Sequence, residues 1–197
     1  LNHKLLNVGE AGIQETDRIK IVVNDYLQTT NEDIFVLGDA AGMYQLSHGA
    51  EKHVKLLRYN FKHTFFKKKH NADDLSWVTF TEPEIATFGI SEKELQDRGI
   101  NYWRQDQSFE HDDRAIVGEY TYGKISLYTT RESNKINRKI LGGSILSPNA
   151  GEMMQELQLA AQEGIKLEAF MDKIYAYPTA SRINQKTVMG IVNYKGE

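Results

Sequence analysis

Apolar residues change their spacing along this 197-residue chain, and the changes divide it. From Ile34 to Leu37 they run together and stop on Gly38-Asp39-Ala40-Ala41-Gly42, which reads as a fully buried strand followed by a small-residue turn. From Leu46 they recur three or four apart, at Ala50, Val54, Leu57, Phe61 and Phe65, which predicts one face of a helix several turns long. Lys67-Lys68-Lys69 would close that helix as a solvated last turn. Upstream, Ile19 to Val23 reads as a short strand with Asn24-Asp25 as its turn. A tail of this size cannot bury a sheet by itself.

The polar break Asn71-Ala72-Asp73-Asp74 places a domain boundary, giving regions 1–71 and 72–197. Beyond it, Trp77 to Phe80 and Glu84 to Ile90 are aromatic and β-branched runs around a proline turn. Ser91-Glu92-Lys93-Glu94 is a capping box, and Gly99 closes the helix it opens. Asn101 to Phe109, Ala115 to Tyr120, Lys124 to Thr130 and Ile140 to Leu146 read as strands, the last weakened by Gly142 and Gly143. Helices are expected from Asn149 to Gly164, from about Leu167 to Lys173, and from beyond Arg182 to the end. Strands and helices without a repeated βαβ unit predict an α+β domain: an antiparallel sheet with flanking helices.

Composition narrows the function classes. Net charge is −3 with both signs dispersed, which gives no electrostatic case for nucleic acid or an anionic membrane as partner. No apolar run approaches the roughly 18 residues of a membrane helix. Cysteine is absent, so these residues hold no disulfide, thiolate metal site or redox dithiol. His48, His53, His63 and His70 do not repeat on one face with a carboxylate, so no metal site is assigned. The chain opens at Leu1 in what reads as mid-domain sequence, and an amino-terminal portion is expected upstream.

The candidate chemistry lies at Gly38-Asp39-Ala40. Glycine admits close approach of a ligand, Asp39 supplies an acceptor at the end of the run, and the following helix aims free amides at the same place. A bare turn satisfies the same spacing. Context distinguishes the two, because Leu27 to Asp33 before the run and Leu46-Ser47-His48-Gly49-Ala50-Glu51 after it resemble the second flavin-contacting segment of the pyridine nucleotide-disulfide oxidoreductases. The second region resembles the same family's carboxyl-terminal interface domain. The matching pieces, in order, are Phe80 to Ala86, Ser91-Glu92, Asp113-Arg114-Ala115, Gly123-Lys124, Ile140-Leu141-Gly142 with Ala150-Gly151-Glu152, and Tyr177-Pro178-Thr179.

The resemblance implies that residues 1–71 close an FAD-binding α/β domain and residues 72–197 form a dimerisation domain. Gly38, Asp39 and Ala40 would contact the ribityl or pyrophosphate part of FAD, with Leu46, Ser47 and His48 approaching the flavin ring. It also implies a homodimeric parent enzyme that uses FAD and NAD(P), placed in the cytoplasm by analogy. The Gly-x-Gly-x-x-Gly fingerprint is absent, so this length alone is expected to be inactive and to retain little FAD. A noncatalytic dimerisation module is the alternative. Tyr177-Pro178-Thr179-Ala180-Ser181-Arg182 stands where many members carry His-Pro-Thr-x-x-Glu, so the base and its orienting carboxylate are both replaced, and Tyr177 is the catalytic candidate. Tyrosine, with an ordinary pKa of about 10, is a donor near neutral pH rather than a base. Arg182 could favour a tyrosinate only from close range.

Overall fold

The computed structural model describes residues 6–16 and 20–193 and divides into two compact units, Leu1–Asn71 and Ala72–Glu197. Each is described by itself.

Local signals account for much of the second unit. The aromatic and β-branched runs form β1 (Ser76–Thr79) and β2 (Glu84–Gly89), joined by the turn that holds Pro83. Ser91 caps α2 (Glu92–Asp97) with a complete capping box: its hydroxyl accepts from the Glu94 amide, and the Glu94 carboxylate accepts from the Ser91 amide. Gly99 follows in the left-handed region. Then come β3 (Trp103–Ser108), α3 (Asp113–Val117), β4 (Lys124–Thr129) and β5 (Ile140–Ser147). The chain ends through α4 (Ala150–Met153), α5 (Gln155–Glu163), α6 (Glu168–Asp172) and α7 (Arg182–Asn193). Gly164, again left-handed, terminates α5.

The five strands make one antiparallel sheet in the order β1-β2-β5-β4-β3. One face carries Phe88, Ile125, Leu127 and Ile145, which pack with Met153, Leu157, Ile183 and Ile191 from the helices. On the other, Leu95 of α2 packs with Ile90 and Tyr128. The α+β architecture expected from the sequence is therefore what the second unit has.

Three local expectations for this unit are corrected. Ala115 to Tyr120 reads as a strand but begins inside α3, because the buried Asp112 carboxylate caps the Arg114 and Ala115 amides and is itself held by Lys186 at 2.8 Å. Gly142 and Gly143 do not weaken their strand. They lie on the central strand, where a Cβ on Gly142 would come within 2.4 Å of the Ile90 carbonyl and one on Gly143 within 2.5 Å of the Ser126 carbonyl. Lys124 to Thr130 is the strand expected, whereas the helix expected from Asn149 to Gly164 is divided at Met154 into α4 and α5.

The first unit is built differently. Its helix α1 spans Ser47–Lys62 and ends before the lysine triplet, so those lysines are not its last turn. The face buried is Gly49, His53, Leu57 and Asn60 rather than the expected apolar stripe, of which Val54 is 49% and Phe61 63% exposed. Polar pairing decides this. The Asn60 amide group bonds both ways with the Lys68 backbone, at 2.8 and 2.9 Å, and His53 bonds to Gly38. Ile34 to Leu37 is not a buried strand but a single bridge, Gln28 to Phe35, with Leu37 exposed. Of the expected strand at Ile19 to Val23, Ile19 lies outside the described residues, and Ile21 makes one isolated bridge to Glu15.

Candidate functional site

Gly38–Ala41 forms a single turn of 3-10 helix that ends on the left-handed Gly42. Gly38 itself has φ of +64°, and a Cβ there would lie 3.2 Å from that of Ala50 in α1. A side chain larger than hydrogen is disfavoured on both counts. The Gly38 amide donates to Nδ1 of His53 at 3.0 Å. Because that nitrogen accepts, the His53 proton sits on Nε2, and the ring is neutral.

His53 is fully buried, and its Nε2 has no hydrogen-bond partner among the described residues. Its ring meets His70 edge-on with centroids 5.0 Å apart, and Tyr44 stacks on His70 at 5.7 Å. Burial first, and then the Lys52 charge, hold the His53 pKa below its ordinary value. For His70, burial, His53 and Lys52 act in the same direction and Asp25 opposes them. His53 thus stiffens the Gly-Asp turn as a neutral acceptor. Sequence reading treats it as one of several scattered histidines, and no local signal separates it from them.

Asp39 is exposed at the rim of a cleft of about 640 Å³ lined by Val8, Ile13, Ile34, Val36, Leu37 and Ala40. Leu46 precedes α1 without a side-chain cap, and Ser47 and His48, the first two helical residues, are exposed. Of the predicted residues, Asp39 and Ala40 line the cleft, Gly38 packs against Ala50 of α1, and Leu46, Ser47 and His48 are not among the cleft's lining residues. Among the described residues, no group of three or more His, Cys, Asp and Glu is placed to hold a metal.

Tyr177 belongs to the other unit, on the turn before α7, and is 65% exposed. Its hydroxyl donates to Oδ2 of Asp113 at 3.1 Å. Arg182 lies over its ring at 5.3 Å and reaches the same Asp113 oxygen at 3.9 Å. The hydrogen bond to Asp113 is the leading cause of a raised phenol pKa, followed by the charge of that carboxylate; Arg182 and Lys186 oppose it. Arg182 is close, as a tyrosinate would require, but the carboxylate between them outweighs it. Tyr177 is a held donor. Sequence reading places Asp113 in a motif without giving it this role, because the 64-residue separation leaves no local trace.

The second unit is an α+β domain with an antiparallel sheet in the order β1-β2-β5-β4-β3 and helices packed on it. The dimerisation domain of the pyridine nucleotide-disulphide oxidoreductases matches residues 75–187, and the chain belongs to that family. Among similar proteins, the dihydrolipoyl dehydrogenase of Buchnera aphidicola subsp. Acyrthosiphon pisum is 35% identical over 184 residues, 89% of this chain and 37% of the relative. The mercuric reductase of Staphylococcus aureus is 29% identical over 178 residues, 90% of this chain and 32% of the relative. The crystal structure of LpdA from Mycobacterium tuberculosis shares the fold, with a TM-score of 0.82 at 20% identity over 95% of this chain and 40% of that one. The chain spans between about a third and two fifths of the length of these relatives.

Proposed function

We propose that this chain is the carboxyl-terminal portion of an FAD-dependent, NAD(P)H-linked disulfide-type oxidoreductase, supplying part of the flavin site and the surface for homodimerisation. The family match over 75–187 carries the reading. The dimer is expected from the same domain, and the cytoplasmic placement rests on the relatives alone. No helix among the described residues is long and apolar enough to cross a membrane.

The residues at the cleft suit FAD. A glycine at positive φ that packs closely on Ala50, an exposed carboxylate able to accept from ribityl hydroxyls, and an uncapped helix start offering amide donors fit a ligand that is apolar in its ring and polar along its tail. When bound, FAD would supply electron transfer between the nicotinamide and the acceptor. The chain's own part is to position it: His53 fixes the turn, Asp39 would meet the polar tail, and the start of α1 at Leu46, Ser47 and His48 would approach the flavin ring.

Tyr177 shapes the substrate question. With its hydroxyl committed to Asp113, it can donate a proton but not remove one, so the parent is expected to be poor with dihydrolipoamide and glutathione substrates that need a base there. Turnover of the parent with lipoamide and with oxidised glutathione tests this. A kcat/KM above roughly 10⁴ M⁻¹s⁻¹ for either overturns the substrate reading. A parent that purifies without flavin absorbance, or as a monomer at micromolar concentration, overturns the larger one.

A further inference from the structure

Net charge conceals a local surface. Between Glu51 and His70 the chain carries seven lysines and arginines against the single acid Glu51, in a molecule whose net charge is −3. Lys55, Arg58 and Lys62 recur at helical spacing on α1 and are all exposed. Past the helix end, Lys67, Lys68 and Lys69 are exposed as well. Lys69 pairs with Asp25 at 3.0 Å and Lys68 lies 4.3 Å from the centre of the Tyr59 ring. Both contacts are in the open, where salt and competing anions exchange them readily.

Set among these charges are exposed aromatic rings, of which Phe61 also meets Phe35 edge-on at 5.1 Å. Phe65 is 93% exposed and Phe66 79%, adjacent on the turn that follows α1, with Phe61 a turn behind them at 63%. A single exposed phenylalanine is ordinary, but a contiguous pair flanked by lysines is a patch that asks for a partner.

We propose that the turn 63–69 and the outer face of α1 form a peripheral docking surface for anionic phospholipid bilayers, with Phe65 and Phe66 entering the headgroup layer while the lysines meet lipid phosphates. The choice of partner follows from the chemistry of the patch. Phenyl rings carry no polar group to satisfy and gain by shallow burial, and each cation near an anionic leaflet adds about fivefold in affinity. Single-stranded nucleic acid would use the lysines too. It would also call for a groove or sheet on which successive bases stack, whereas these rings sit at a helix end and on the turn that follows it. An acidic protein would match the lysines and leave the paired rings without a reason.

Flotation of the full-length protein with vesicles of phosphatidylcholine, with and without phosphatidylglycerol, tests the proposal. Binding is expected only with the anionic lipid, at least about tenfold tighter than without it, and weakening as salt is added. The double variant F65S/F66S should bind about tenfold more weakly with unchanged thermal unfolding, since both side chains are already in solvent. K67E/K68E should lose binding at low salt. Equal binding to both vesicle types, no binding to either, or full binding by F65S/F66S overturns the proposal. So does tighter binding to a single-stranded oligonucleotide than to anionic vesicles.

Discussion

The two units of this chain bury their apolar residues in different ways. In the second, a central cluster runs without interruption from Ala86 on β2 to Ile191 on α7 and is closed on both faces of a five-stranded sheet. In the first, the main apolar cluster among the described residues is small, formed by Val8, Ile13, Ile21, Val36 and Ala41, and much of the same set lines an open cleft. A closed cluster stabilises its own unit, whereas an open one leaves part of its burial to whatever fills it. The second unit is thus organised around a closed core, and the first around a small apolar cluster that lines an open cleft.

The largest effect should come from opening the closed core. Leu157 is fully buried, so Leu157→Ala is expected to cost about 3 kcal/mol, while Val36→Ala at the cleft wall should cost on the order of 1 kcal/mol. Both tryptophans, Trp77 and Trp103, lie in the second unit, so urea unfolding followed by fluorescence reports that unit and limited proteolysis reports the first. Equal costs for the two variants would break the contrast.

Next in size is Gly142→Ala. The added methyl would press on the Ile90 carbonyl and amide and the Phe88 carbonyl, all backbone, at 2.4 to 2.8 Å. A loss of about 2 kcal/mol in the second unit is expected. An unchanged urea midpoint would show that the central strand can move aside.

Acid should act on the first unit before the second. His53 and His70 have folded-state pKa values below the unfolded one, so the unfolded chain takes up protons first as pH falls. Their contribution is complete above about pH 6.5 and is lost progressively below it, toward the depressed folded values. Lys52 reinforces the depression, Asp25 partly offsets it at His70, and Tyr44 stacks alongside. Proteolytic cleavage between residues 34 and 62 should therefore accelerate between pH 7 and 5 while tryptophan fluorescence stays constant. His53→Gln, which keeps an acceptor without a titrating ring, should flatten that dependence.

The smallest effect is local. Asp113→Asn removes the charge that raises the Tyr177 phenol and leaves Arg182 over the ring, so the tyrosine should titrate at lower pH with no change in folding. Near-ultraviolet absorbance titration against a Tyr177→Phe reference checks this, and an unmoved titration would show that Asp113 does not govern the hydroxyl.

What the sequence determined by itself was what short-range chemistry decides. Five of the six strand runs expected in the second region became β1 to β5, the Ser91 capping box opened α2, Gly164 stopped α5, and together they specified an antiparallel α+β domain. Asp39 and Tyr177 were legible as candidates because residue type and order alone mark them. Only the tertiary structure decided how such pieces are used. Asp112 turned a β-branched stretch into α3 through a charge partner 74 residues away, and the Gly142-Gly143 pair became the middle of the sheet because strands on both sides crowd it. The buried side of α1 likewise followed His53 and Asn60 rather than its phenylalanines. At Asp112, His53 and Asn60 a hydrogen bond or ion pair, and at Gly142-Gly143 the backbone of neighbouring strands, outweighed a local preference worth less than about 1 kcal/mol per residue, and sequence spacing carries no record of which groups will meet.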